Sequence, residues 1–167
     1  MEILIKPVVS ILVLRTGTDG RPRLLLQRRS KPGQIECWEL PQGKIRQGET
    51  LHVAAARELL EESGLCLTRI LTTGLEAQAM LVGGHQLQSF DAFTCVLDVT
   101  GEFLAVAVLA QATGDPVDTD EARGHQWMDG AELQRLLDAQ EVFPLNVPML
   151  HKVLSTHFSL PTGSIEP

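Results

Sequence analysis

Glu58, Glu61 and Glu62 lie in the stretch PQGKIRQGETLHVAAARELLEESGL, Pro41 to Leu65, which otherwise reads as an alanine- and leucine-rich helix. On a wheel of about 100° per residue the three acids share one arc of roughly 100°. His52, Val53, Ala55, Ala56, Leu59 and Leu60 occupy another, broad arc, so the expectation is a helix that buries this apolar side and aims three carboxylates from the other. The arrangement carries a cost. Glu58 stands three and four residues from Glu61 and Glu62, and each like-charge pair opposes the helix by roughly 0.2–0.5 kcal/mol. All three acids precede Gly64, where the negative end of the helix dipole disfavours each by a further ~0.3–1 kcal/mol. Arg57 alone cannot neutralise three charges, so a divalent cation is the economical explanation. Hard carboxylate oxygens on one face suit Mg²⁺ or Mn²⁺, with water and a phosphate completing the shell. On the helix alone, a solvated acidic face is the alternative.

The rest of the chain must position those acids. Its 167 residues suit one domain with its own core, spanning 1–167 with a frayed tail expected from about residue 159. Hydrophobic residues at 44% and charged residues at 21% fit a soluble globular protein, and the net charge of -7 argues against a broad grip on nucleic acid or anionic lipid. The apolar runs fall far short of the ~20 residues that span a bilayer. The N-terminus lacks the positive region and cleavage site of a signal peptide, so a cytoplasmic location is expected. Cys37, Cys66 and Cys95 have no CxxC spacing and read as buried or half-buried free thiols.

Val8 to Leu14 and Arg21 to Arg29 flank the turn residues Gly17, Asp19 and Gly20, which predicts a hairpin. Residues 30 to 48 read as a loop punctuated by glycine and proline. A helix follows from Thr50 to Ser63, closed by Gly64. Extended segments at 67–82 and 85–99 flank the turn Gly83-Gly84. The stretch GEFLAVAVLAQATGDPV does not settle between strand and helix. GHQWMD reads as a strand, Asp129 and Glu132 as the start of a helix that buries Leu133, Leu136 and Leu137, and Asn146 as the start of the last helix. This order predicts a mixed sheet covered by helices, an α/β sandwich.

Gly43, Glu49, Arg57, Glu58, Leu59, Glu61, Glu62, Gly64 and Leu65 satisfy all nine specified positions of G-x5-E-x7-R-E-U-x-E-E-x-G-U, where U is bulky and aliphatic. With average residue usage a chance match has a probability of about 10⁻⁷. The stretch resembles the signature of the Nudix hydrolases, and the order of elements resembles that family over residues 3 to 157. The resemblance implies an α/β/α sandwich and a metal-dependent pyrophosphohydrolase. It implies Glu58 and Glu62 as the main cation ligands, Glu61 as a ligand or the residue that assists the water, and a backbone carbonyl at Gln42 or Gly43 as a further ligand. Arg57 paired with Glu49 would anchor the loop and orient the acids. Many relatives place a further acid in a later loop; here DTDEARGHQW offers Asp118, Asp120 and Glu121, of which Glu121 is the choice for base or ligand.

Lys44, Arg28, Arg29 and Arg46 are candidates to meet substrate phosphates, with Lys44 preferred for its place beside Gly43. Trp38 and Trp127 read as core before stacking platforms. The five histidines show no metal-ligand spacing, and His52 falls on the expected buried arc. The ELPxG portion of CWELPQGKI resembles ADP-ribose and nucleotide-sugar pyrophosphatases, whereas PQG resembles enzymes of dinucleoside polyphosphates and RNA 5′ ends. The expected substrate is therefore a nucleoside diphosphate linked to another moiety, with an RNA 5′ end less favoured and a monomer or homodimer as the working form. A non-catalytic nucleotide sensor is the alternative, which the complete set of acids disfavours.

Overall fold

The computed structural model describes residues 4–29, 36–72 and 80–158. The expected frayed tail lies outside them, as do Pro32 and Gly33 of the expected loop. Strands β1 (Lys6–Thr16) and β2 (Pro22–Arg29) form the predicted hairpin, with Leu14 opposite Leu24 and Thr16 opposite Pro22. The segment read as a loop holds two short strands, β3 (Cys37–Glu39) and β4 (Gln42–Lys44). Each takes only three residues because Leu40 and Pro41 carry the chain from its pairing with β2 to its pairing with β1. Helix α1 (Leu51–Ser63) leads into β5 (Cys66–Ile70). The Gly83-Gly84 hairpin joins β6 (Met80–Val82) to β7 (His85–Leu87), and both glycines have positive φ. Strands β8 (Thr94–Leu97), β9 (Phe103–Thr113) and β10 (Arg123–Met128) follow. The chain then forms α2 (Gly130–Asp138), a 3₁₀ turn and α3 (Val147–Val153).

Among the described residues eight strands make one mixed sheet, with β10-β2-β1-β9-β5 as its main path; β3 is added on β2, β4 on β1 and β8 on β9. β1 and β9 run parallel, Val8 opposite Ala105 through Val13 opposite Ala110, while the other pairings are antiparallel. One face carries α1, whose Leu51, Ala54, Ala55 and Leu59 pack on Val9, Ile11, Val13, Leu25, Val106 and Val108. The other carries α2 and α3, with Leu133, Leu136, Met149, Leu150 and Val153 on Val8, Leu12, Leu24, Leu26, Ala105 and Ala107. The result is the expected α/β/α sandwich.

The two-sided covering explains the unresolved stretch. In β9 every residue from Ala105 to Ala110 is buried, so no alternation survives to distinguish strand from helix. The cysteines depart from expectation: Cys37 is half-buried, but Cys66 and Cys95 are exposed, because both stand on short strands with one side open to water.

Gly64 ends α1 in the left-handed region at φ 71, and a side chain there would lie 2.7 Å from Val117 Cγ2. Left-handed backbone costs other residues about 1–2 kcal/mol. Gly64→Ala is therefore expected to lower the urea midpoint by an amount equivalent to at least about 1 kcal/mol, with no change in the denaturant slope.

Candidate functional site

α1 is capped by Thr50, whose hydroxyl accepts the Val53 N–H at 3.2 Å, and the capped helix lies across the sheet with a face the wheel did not anticipate. His52 is exposed, and Val53 and Leu60 are 51% and 53% exposed. Glu58 and Glu62 are buried instead, alongside Ala54, Ala55 and Leu59. The expectation that the helix aims all three acids away from its buried side is thus corrected. The reason lies in β4. Gly43 passes directly against Glu58, and a Cβ on that glycine would occupy the space of the Glu58 carboxylate. The missing side chain makes a pocket that an acid fills.

A charge placed there needs partners. Arg57 supplies them: its Nη1 donates to Glu58 Oε1 at 2.5 Å and to Glu61 Oε2 at 3.1 Å. Nε and Nη2 grip both oxygens of Glu49, at 2.6 and 2.8 Å, and Nη2 also donates to the Lys44 carbonyl at 3.0 Å. The bidentate contact ties the 44–50 loop to the helix. It also holds the Glu49 carboxyl down at about 2, chiefly through the Arg57 hydrogen bonds and then the Arg46 N–H. Arg57 itself is held above its ordinary range by Glu49.

Glu121 enters from the loop between β9 and β10. One carboxylate oxygen each from Glu58, Glu61 and Glu121 lies within 4.8 Å of the others. Glu61 and Glu121 are sixty positions apart in the chain, yet the fold brings them together. Three hard oxygen donors at that spacing, beside a backbone with no side chain at Gly43, fit Mg²⁺ or Mn²⁺.

Glu62 is set apart. Its Oε2 accepts from Gln27 Nε2 at 2.7 Å and from the Gln42 N–H at 2.9 Å. Burial, against the relief from these two donors, pushes its carboxyl up to about 8. Behind it, Gln42 Oε1 accepts from Ser10 Oγ at 3.0 Å and from Asn146 Nδ2 at 2.8 Å, and Asn146 Oδ1 accepts the Leu40 N–H at 3.1 Å. Glu39, buried, pairs with Arg29 at 2.6 Å.

The candidate cations divide. Arg46 lies 3.6 Å from Glu61, with most of its side chain in water, and Lys44 is exposed beside Gly43. Arg28 stacks over Trp38 at 4.1 Å, and Arg29 is held by Glu39 and lies over Phe143. Trp38 is buried, while Trp127 is half-buried under Arg15, 3.9 Å from the ring centre.

With this geometry in view, the NUDIX domain model matches residues 6–146. The chain belongs to the Nudix family. An RNA pyrophosphohydrolase of Caulobacter vibrioides is 38% identical over 66 residues, 40% of this chain and 36% of the relative. An 8-oxo-(d)GTP phosphatase of Mycolicibacterium smegmatis is 46% identical over 48 residues, 29% of this chain and 15% of the relative. The chain therefore matches well under half the length of these relatives. A Jonesia denitrificans structure described as a possible asymmetric diadenosine tetraphosphate hydrolase superposes with a TM-score of 0.69 at 16% identity, covering 96% of this chain and 99% of that one.

The Nudix signature pointed to Gly43, Glu49, Arg57, Glu58, Glu61 and Glu62, and to Gln42 by its backbone, but not to Ser10, Gln27, Glu39, Asn146 or the Gln42 amide. A signal existed for two of them. Ser10 and Gln27 interrupt the apolar runs VVSILVL and LLLQRR, and a polar residue inside a strand covered on both faces must be matched by another polar group.

The Glu62 carboxyl gives a stability test. An acid whose folded-state pKa lies above its ordinary 4.5 costs nothing below that pH, and its ionisation opposes folding progressively up to about pH 8. Glu62→Gln keeps an acceptor for Gln27 and Gln42 without the charge. In chelator the variant is expected to melt at the same temperature as wild type at pH 4, and higher at pH 8.5 by an amount on the order of 2 kcal/mol.

Proposed function

We propose that this Nudix protein is a Mg²⁺- or Mn²⁺-dependent hydrolase that splits the pyrophosphate bond of a nucleoside diphosphate linked to another moiety. The observation that carries the reading is the convergence of Glu58 and Glu61 from α1 with Glu121 from a distant loop, on a frame held by Arg57. Those three carboxylates would hold the cation, with Glu62 and the carbonyl at Gln42 or Gly43 as further ligands. A bound cation neutralises phosphate oxygens and acidifies its water.

The protein's own groups do the rest. Glu61 and Glu121 are the half-exposed and exposed acids of the cluster, and their free lone pairs can take a proton from an attacking water. Arg57 keeps Glu58 and Glu61 in register and is too fully engaged to serve the substrate. Lys44, at the end of β4, and Arg46, on the loop that follows, would meet phosphate oxygens; Arg28, the third candidate, lies over Trp38. No helix among the described residues is long and apolar enough to cross a membrane.

The proteins named RNA pyrophosphohydrolase, 8-oxo-(d)GTP phosphatase and possible diadenosine tetraphosphate hydrolase have in common substrates with a phosphoanhydride bond, which supports that substrate class. The test is a panel of ADP-ribose, diadenosine polyphosphates, oxidised dGTP and 5′-triphosphate RNA with Mg²⁺ or Mn²⁺. Turnover of at least one is expected, falling at least about 10-fold in Glu58→Gln and Glu62→Gln. A silent panel, or a fully active Glu58→Gln, would overturn the reading. Mg²⁺ is also expected to raise the melting temperature of wild type through preferential binding to the folded state, and to do so much less in Glu58→Gln.

A further inference from the structure

We infer that Thr119 is the positioning residue that sets the reach of Glu121 into the carboxylate cluster. The inference rests on the reading of Glu121 as part of the cation centre. The last carbonyls of a helix have no partner within it and must find donors elsewhere. In α1 two are satisfied by the loop that carries Glu121: Ser63 O accepts the Val117 N–H at 3.0 Å, and Glu62 O accepts the Thr119 hydroxyl at 3.3 Å. The same oxygen, Thr119 Oγ1, accepts the N–H groups of Glu121 and Ala122, each at 3.2 Å. Thr119 N donates to the Ala122 carbonyl at 2.9 Å and closes the turn. Asp118 braces the far side, its Oδ1 accepting the Gly124 N–H at 2.8 Å.

One hydroxyl therefore faces two ways. It donates to the backbone of Glu62 at the end of the helix that bears Glu58 and Glu61, and it accepts from the backbone of Glu121. A displacement of the loop relative to α1 breaks the first contact, and an opening of the turn breaks the second. Without that oxygen, two N–H groups and one helix carbonyl turn to water, and the loop keeps its Val117 N–H bond to Ser63 O of α1. Thr119 touches no carboxylate of the cluster, so it acts through the position of Glu121.

The test measures Mn²⁺ binding to the metal-free protein by electron paramagnetic resonance, beside turnover. The variants are Thr119→Val, which keeps the shape without the hydroxyl, Thr119→Ala, Thr119→Ser, Glu121→Gln and the double variant Thr119→Val/Glu121→Gln. Supporting groups around a metal site typically contribute 10–100-fold to affinity or activity. Thr119→Val and Thr119→Ala are expected to weaken Mn²⁺ at least about tenfold and lower kcat comparably, with KM changed less. Thr119→Ser is expected to restore both, and the double variant to be no weaker than Glu121→Gln alone. If Glu121→Gln weakens Mn²⁺ while Thr119→Val and Thr119→Ala do not, the positioning role is wrong and the cation reading stands. A serine variant as impaired as valine, or losses that add fully in the double variant, would equally remove the role. If Glu121→Gln binds Mn²⁺ as wild type does, Glu121 is no part of the centre and the inference fails with it.

Discussion

The five N–H groups of one guanidinium hold the site together, and each has an acceptor: two on Glu49, one on Glu58, one on Glu61 and one on the Lys44 carbonyl. Because the guanidinium is planar and its donors fixed in direction, those acceptors are held in one geometry relative to one another. The loop before α1 and the acids on it thus become a single unit. Lysine, with a compact ammonium on a flexible stem, could satisfy the charge but not the set of directions. The balance of charge is the second consequence. One Arg57 charge against Glu49, Glu58 and Glu61, with Arg46 at 3.6 Å, leaves the unit negative before Glu121 and Glu62 are counted. A centre that is rigid and still short of positive charge has the properties a divalent cation exploits.

The fold places this unit where burial sharpens it. Gly43 and Glu58 share one space: the glycine supplies the room and the acid fills it. This is why the wheel gave an incomplete picture of α1. Hydrophobicity assigns Val53 and Leu60 to the core and all three acids to the opposite face, whereas the contact with β4 turns Glu58 and Glu62 inward. Pairing, not polarity, decides which side of such a helix is buried, and the partners come from strands whose approach no local pattern reveals.

The same distinction marks what was legible. The nine signature residues, the helix ends at Gly64 and Asp129 and the glycine hairpin are legible because each depends on contacts close in sequence or on a short fixed spacing, and the sandwich follows from the order of elements. The capping box at Asp129 and Glu132 is fully formed, each side chain accepting the other's backbone N–H. Strand β9 was ambiguous because two covered faces erase the alternation. Asn146 stands at the start of α3, as its place in the sequence predicts, but its side chain makes no cap: it serves Leu40 and Gln42, a requirement set more than a hundred residues away.

Those long-range contacts join the two faces of the sheet. Asn146 and Ser10 hold the Gln42 amide from the side that carries α2 and α3, while the backbone N–H of Gln42 reaches Glu62 on the side of α1. Strand β4 is only three residues long, so little ladder pairing fixes it. Backbone bonds from Ile11 to Pro41 and from Ile45 to Pro7 extend the pairing at either end, and the Gln42 amide, matched on both its polar ends within the protein, adds a side-chain constraint on the register. Buried amides are demanding in this respect, since an unmatched oxygen or nitrogen costs about 1–3 kcal/mol. A slip of β4 by one residue would expose that cost, move Gly43 off Glu58 and remove the N–H that Glu62 accepts. The polar network thus adds to the backbone pairing in keeping a three-residue strand, and through it the acids of α1, in the register where they converge.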